Sequence, residues 1–299
     1  MLRYTLRQLE YALAAQECRS IAKAAEKLGI AQPTVSAAIA KLEDQLGLQL
    51  FIRHHATGVS PAPQARGFFA EARSLITHAR DIERGTESAH ATVQGELSLG
   101  SFTTIASAFA PKLIASFTAQ HPAAHLKLEE GPQELLLEGL GNGRFDTVLL
   151  YDIDLPAGLE VRQLATYSPH ILLPTSHPLA KRKRLPLGTL RDEPLILLDI
   201  APSRTYFLRI LKAAGIAPRI AFSSPSLEVV RGLVGQGLGY SILITRPYGD
   251  RAYSGEPLAA VPIAGETERG IVALACRGDV RKTRLLKVFE EHCVSYFAQ

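Results

Sequence analysis

Gln32, Thr34, Ser36, Lys41 and Arg53 are the side chains best suited to reading a double helix. Amides and hydroxyls pair with base edges, and ammonium and guanidinium groups pair with phosphates. The expectation is that Gln32, Thr34 and Ser36 meet bases and that Lys41 and Arg53 meet the backbone. Pro33 sits beside them in the first turn of a helix, where its missing N–H costs nothing. A second set suits an anion. Ser101, Phe102, Thr103 and Thr104 follow an apolar run and open a helical pattern; Ser203 with Arg204, and Ser226, do the same further on. Helix N-termini offer N–H groups and the positive end of the dipole. With Arg204 the set suits a small carboxylate, and Phe102 and Tyr151 are placed to flank an aromatic ring. Simple capping, the commonest task of Ser and Thr at such positions, stays open as the alternative.

The elements that position the first set are legible nearby. In SIAKAAEKLGIAQPTVSAAIAKL, residues 20–42, Ser20 caps a helix whose apolar face is Ile21, Ala24, Ala25 and Leu28. Gly29 supplies the left-handed stop. A second helix starts near Gln32, with Val35, Ile39, Leu42 and Leu46 as its buried stripe. That is a helix-turn-helix, with a generic amphipathic hairpin as the plainer reading. Upstream, Thr5 and Gln8 have capping-box spacing ahead of Leu6, Leu9 and Leu13. Downstream, a stop at Gly47, a short apolar strand and a basic turn with Arg53, His54 and His55 predict a wing. From Pro63 to Val93 no proline interrupts, and Phe68, Ala72, Leu75, Ala79, Ile82, Thr86, Ala89 and Val93 form a heptad-like seam. A helix of thirty residues reaches about 45 Å. The alternative is a single amphipathic helix packed on its own domain, and Gly85 and Thr86 predict a bend or fray.

The order TLRQLEY, then AAEKLGIAQPTVSAAIAKLEDQLGLQLF, then a long helix and an α/β remainder resembles the LysR-type transcriptional regulators. The resemblance is strong over residues 4–70 and looser beyond. It implies a winged helix-turn-helix, a dimerising linker helix and a two-lobed domain that binds a small inducer at strand-to-helix turns. It also implies double-stranded operator DNA as partner and a homodimer or homotetramer, with RNA polymerase left open as a further partner. The chain departs from the family pattern at Ala31, where a capping Ser is usual and about 1 kcal/mol is forfeited. Ala62 and Ala65 replace a Thr and a Gly, and Ala37, Ala38 and Ala40 leave the second helix poor in polar groups. Relatives that sense peroxide carry a reactive Cys after a strand of the second lobe. Here LLDIAPSRTYF has none.

From Gly95, apolar runs alternate with helical patterns, the signature of α/β architecture with largely parallel sheets. GELSLG, HLKLEE and DTVLLY read as strands of one lobe. HILLP, LILLD, RIAFS and GYSILI read as strands of another, and ERGIVALAC with the helix from Thr283 returns to the first. The fold class is therefore α followed by α/β, with a periplasmic-binding-protein-like effector domain. Residues 1–62 are assigned to the DNA-binding domain, 63–94 to the linker, and 95–299 to the effector domain. Within the latter, lobe I takes about 95–161 and 267–299, and lobe II about 162–266. A cleft at the carboxyl ends of the strands is the expected ligand site.

Composition narrows the function classes. The net charge of +4 comes from 33 basic and 29 acidic residues, and residues 1–94 hold 11 of the former and 9 of the latter, a net of +2. A DNA-coating protein driven by bulk phosphate attraction is thereby disfavoured. No run approaches a membrane span, and no signal peptide is expected. Cys18, Cys276 and Cys293 read as reduced thiols of a cytoplasmic protein. GxSxG, Walker and metal-cluster motifs are absent, so no enzyme, cofactor or metal site is expected. His54-His55 lacks a nearby ligand partner. The GQGLGYS segment with Gly235, Gly237 and Gly239 follows a helix and is not a dinucleotide fingerprint. KRKR at 181–184 reads as a solvated turn. A solute-binding protein is the remaining alternative, and removal of residues 1–94 distinguishes the two: a regulator loses operator binding and keeps its ligand.

Overall fold

The computed structural model describes residues 3–54, 58–85 and 93–298. The N-terminal domain is built from α1 (Leu6–Cys18), α2 (Ile21–Leu28), α3 (Gln32–Leu46), β1 (Phe51–His54) and β2 (Gly58–Pro61). Local chemistry sets each boundary. Thr5 and Gln8 close the expected capping box on α1, Ser20 caps α2, and Gly29 and Gly47 end α2 and α3 in the left-handed region. Leu9, Ala12, Ala24, Ala25, Val35, Ile39 and Leu42 make one core with Phe51 and Val59. The stripe read for α3 is the face that is buried.

A short 3₁₀ turn, Pro63–Ala65, leads into the linker helix α4 (Arg66–Gly85). Ala65, Phe69, Ala72 and Ile76 belong to the N-terminal core, whereas Leu75 is 41 % and Ile82 70 % exposed. The helix thus has one face on its own domain, as the simpler reading held, and a second apolar row turned outward. His55 of the wing turn and Thr86 and Ala89 of the seam lie outside the described residues.

Lobe I contains β3 (Gly95–Phe102), α5 (Thr103–Gln120), β4 (Ala124–Gly131), α6 (Gln133–Gly141), β5 (Thr147–Tyr151) and β6 (Leu159–Tyr167). Lobe II contains β7 (His170–Pro174), β8 (Pro194–Leu198), α7 (Ser203–Ala213), β9 (Arg219–Ser224), α8 (Leu227–Gly235), β10 (Ser241–Leu243) and β11 (Leu258–Pro262). The chain then returns to lobe I as β12 (Gly270–Arg277) and α9 (Arg284–Phe297). The lobe I sheet runs β4-β3-β5-β12-β6, and in lobe II β8-β9 joins β10-β7-β11 through a bridge between Leu195 and Tyr240.

Two expectations are corrected. The sheets are mixed: β3 pairs in parallel with β4 and β5, but β12 is antiparallel to β5 and β6, and β7 is antiparallel to β10 and β11. Lobe I also extends past residue 161, because β6 pairs with β12 from Leu159 to Tyr167. The crossover into lobe II is therefore Ser168-Pro169.

Candidate nucleic-acid interface and effector cleft

The helix-turn-helix presents Gln32, Pro33 and Thr34 exposed at the start of α3, with Ser36 half-buried and Lys41 exposed two turns on. Ala31 makes no side-chain cap, Pro33 carries no N–H, and the Thr34 N–H donates to the Ala31 carbonyl at 3.0 Å. Ala37 and Ala40 fill the rest of the exposed face. Arg53 is exposed on β1, and beside it His54 Nε2 shares a hydrogen with Ser60 Oγ across the hairpin at 2.7 Å.

Buried bonds hold these parts in fixed register. Glu43, on the inner side of α3, accepts from the Leu50 N–H at 2.7 Å and the Phe51 N–H at 3.2 Å, which ties the wing to the recognition helix. Val59 N–H donates to the Arg19 carbonyl at 3.0 Å, which ties it to the turn between α1 and α2. Gly58 sits at φ +100°, and a Cβ there would lie 2.3 Å from the Arg19 oxygen. Gln8 Nε2 donates to Gln45 Oε1 at 3.3 Å and joins α1 to α3. Glu43 and Arg19 were not singled out in the sequence, since their role depends on what the fold brings to them.

At the other end of the chain, the carboxyl ends of β3, β4 and β5 converge. Tyr151 is fully buried; its phenol lies 3.5 Å from Thr104 Oγ1 and faces Thr245, which follows β10 in lobe II. Burial pushes the Tyr151 phenol up to about 12, so it stays protonated and serves as a neutral hydrogen-bonding group. Phe102 packs edge-on against Tyr151 at 5.6 Å and is wholly buried, so its ring is spent on the core of lobe I. Thr103 Oγ1 donates to the Gly131 carbonyl at 3.5 Å. Ser101 Oγ is buried with no partner.

Capping differs among the helices. Ser226 accepts from the Val229 N–H at 3.4 Å and so does the ordinary work of a cap for α8. By contrast α5, α6 and α7 follow Phe102, Pro132 and Pro202 and have no side-chain cap. At α7 the Arg204 N–H turns back to the Ile200 carbonyl at 3.1 Å, so only part of these first turns is left for another acceptor. Ser203, the first residue of α7, is buried, and Tyr206 one turn later donates to the Glu268 carbonyl at 2.6 Å. Arg204 is exposed and pairs with Asp199 at 2.7 Å. Thr104 and Tyr151 are thus brought together with each other and with Phe102, while Ser203 and Arg204 open the helix of the other lobe. Thr245, which faces Tyr151, and Gln133, which opens α6, were not read from the sequence. Gln133 Nε2 donates to the Ile153 carbonyl at 2.9 Å.

A winged helix-turn-helix joined by a helix to a two-lobed α/β domain defines a DNA-binding regulator with a substrate-binding domain. Residues 6–66 match the model of the bacterial regulatory helix-turn-helix proteins of the lysR family, and residues 90–298 match the LysR substrate binding domain. The chain belongs to the LysR family of transcriptional regulators, not to a family of enzymes. It is 38 % identical to a putative LysR family transcriptional regulator of Pseudomonas aeruginosa, covering 99 % of this chain and 100 % of that one with a TM-score of 0.67. It is 31 % identical over 244 residues to the HTH-type transcriptional regulator YybE of Bacillus subtilis, covering 79 % of this chain and 81 % of that protein. Full-length OxyR from Pseudomonas aeruginosa shares the fold at a TM-score of 0.81 over 99 % of this chain and 95 % of its own, at 24 % identity. Among the described residues no helix is long and apolar enough to cross a membrane, and no group of His, Cys, Asp and Glu is arranged to hold a metal.

Proposed function

We propose that this regulator binds a small carboxylate between its lobes and transmits the event to paired operator half-sites. The carrying observation is the set of helix N-termini left without side-chain caps, α5 in lobe I and α7 in lobe II, beside a buried Ser101 hydroxyl that has no partner. An anion bound there satisfies N–H groups from both lobes at once and favours the angle that brings them together. Ser101, Thr103, Thr104 and Tyr151 on one side and Ser203 on the other are the contacts. Arg204, once released by Asp199, supplies the positive charge.

On the DNA side, Gln32, Thr34 and Ser36 read bases, while Lys41 and Arg53 hold phosphates. The exposed Leu75 row of α4 supports a dimer, which places two recognition helices on a roughly palindromic site. The reading puts the protein in the bacterial cytoplasm with its operator.

The test is a thermal-shift screen against aliphatic and aromatic carboxylates. A ligand at one hundred times its dissociation constant adds about 2.7 kcal/mol to the domain that binds it. A response confined to acids, and lost when their esters are used, supports the site; a response to esters as large as that to acids overturns it.

A further inference from the structure

Gln133 is 5 % exposed and opens α6, two residues past the end of β4. Its donor end is spoken for by the Ile153 carbonyl, just beyond β5. That bond sets the orientation of the amide. Oε1 must therefore be the remaining end, and it is buried without a partner. An amide oxygen accepts and never donates. The missing partner is an N–H or an O–H.

No group among the described residues supplies one. Thr103 gives its hydrogen to Gly131, and the Tyr151 phenol lies against Thr104. Ser101 Oγ, at the end of the adjoining strand, is itself unpartnered. Ser101 lies near the end of β3 and Gln133 opens the helix that follows its neighbour β4, so two orphaned polar groups stand at one end of the sheet, where one molecule with two kinds of group would meet both.

We propose that Gln133 is a specificity residue of the cleft and that the inducer is a small carboxylate bearing its own N–H or O–H donor. This rests on the carboxylate reading above. The carboxylate takes the open helix ends, the donor meets Gln133 Oε1, and Ser101, able both to give and to take, bridges the two. A bare acid fills the same space and leaves the buried oxygen unpaired, so the site rejects it.

The experiment is calorimetric titration of the full chain with matched probes: the three hydroxybenzoates and anthranilate against benzoate, and lactate against propionate. The expected result is that at least one donor-bearing acid binds roughly ten- to a hundredfold tighter than its bare analogue. Gln133→Met, close in shape, then reduces that ratio to near one, because the donor-bearing acid loses its acceptor and the bare acid no longer leaves a buried oxygen unpaired. Equal binding of both members of every pair by the unaltered protein overturns the inference and leaves the carboxylate reading intact. A ratio that survives in Gln133→Met overturns the assignment to this residue. If no acid of either kind binds, the carboxylate reading itself falls. The comparison on the unaltered protein decides the ligand class even if the variant does not fold.

Discussion

Val59 donates its backbone N–H to the carbonyl of Arg19 at 3.0 Å, so the wing hangs from the turn that precedes the helix-turn-helix. Gly58 next to it has φ +100°, with room for no side chain against that same carbonyl. Gly58→Ala is expected to destabilise the N-terminal domain by about 2–4 kcal/mol, combining left-handed strain with a backbone clash. Differential scanning calorimetry should show the loss in the N-terminal transition while ligand binding by the effector domain is kept. An unshifted transition would mean that the wing is not held here.

Thr34 is exposed at the start of α3 and Arg53 is exposed on the wing strand. Thr34→Ala is expected to lose discrimination between operator and mismatched sites. Arg53→Ala is expected to weaken every sequence alike and to lower the salt slope by about one. Gel-shift titrations over a range of salt separate the two outcomes, and a footprint unchanged by either substitution removes the assignment.

Ser101 hides an unpaired hydroxyl. Ser101→Ala therefore removes a buried polar group whose bond is unmade, and the apo protein should be as stable or more stable, by up to about 1–3 kcal/mol. The same change should weaken the inducer. Melting curves with and without the best acid of the screen test both halves; a destabilised apo protein would show that Ser101 has a structural partner.

His170 opens β7 and is buried, and burial first, then Arg246 and Arg231, hold it down from 6.5 to about 4. The folded state keeps it neutral where the unfolded chain takes up a proton. Stability from this residue is thus complete above about 6.5 and is lost as the pH falls towards 4, at up to about 1.4 kcal/mol per unit. His170→Gln should flatten that part of the pH profile. Parallel denaturant titrations of both proteins across the window give the difference directly, and profiles of equal slope would exclude the residue.

Cys276 and Cys293 are buried, and burial raises the Cys276 thiol to about 12 and that of Cys293 further still. Neither is a thiolate at neutral pH, so neither should react with peroxide. Intact-mass measurement after exposure is expected to find both unmodified. Oxidation at either one would contradict the burial.

Much of the N-terminal half was legible because its signals are local. A capping box, two glycine stops and a stripe at helical spacing lie within a few residues of what they fix. The strands that escaped are those whose pattern is non-local. β6, LEVRQLATY, is half-exposed along most of its length, and the shift opposite it between Val272 and Ala273 breaks any two-residue alternation. The antiparallel setting of β12 is decided by pairing with β5, more than a hundred residues earlier in the sequence. In the cleft, Thr104 was visible as a helix-opening hydroxyl. Thr245 was not, because nothing around it marks a contact with Tyr151. Asp199, one helical turn before Arg204, was the available signal that this arginine has an internal partner.

The effector domain places both of its ends in lobe I, with lobe II let in between Tyr167 and Gly270. Two chain crossings therefore join the lobes, and the second is braced where Tyr206 and Arg209 grip Glu268. A single tether would let one lobe wander in three directions. Two crossings restrict how one lobe can turn against the other, so on the proposed reading ligand binding would act through a rotation of a defined sense. It also follows that no single cut in the backbone can yield two intact lobes: removing the last thirty residues would take β12 and α9 out of lobe I and leave its sheet split between β5 and β6.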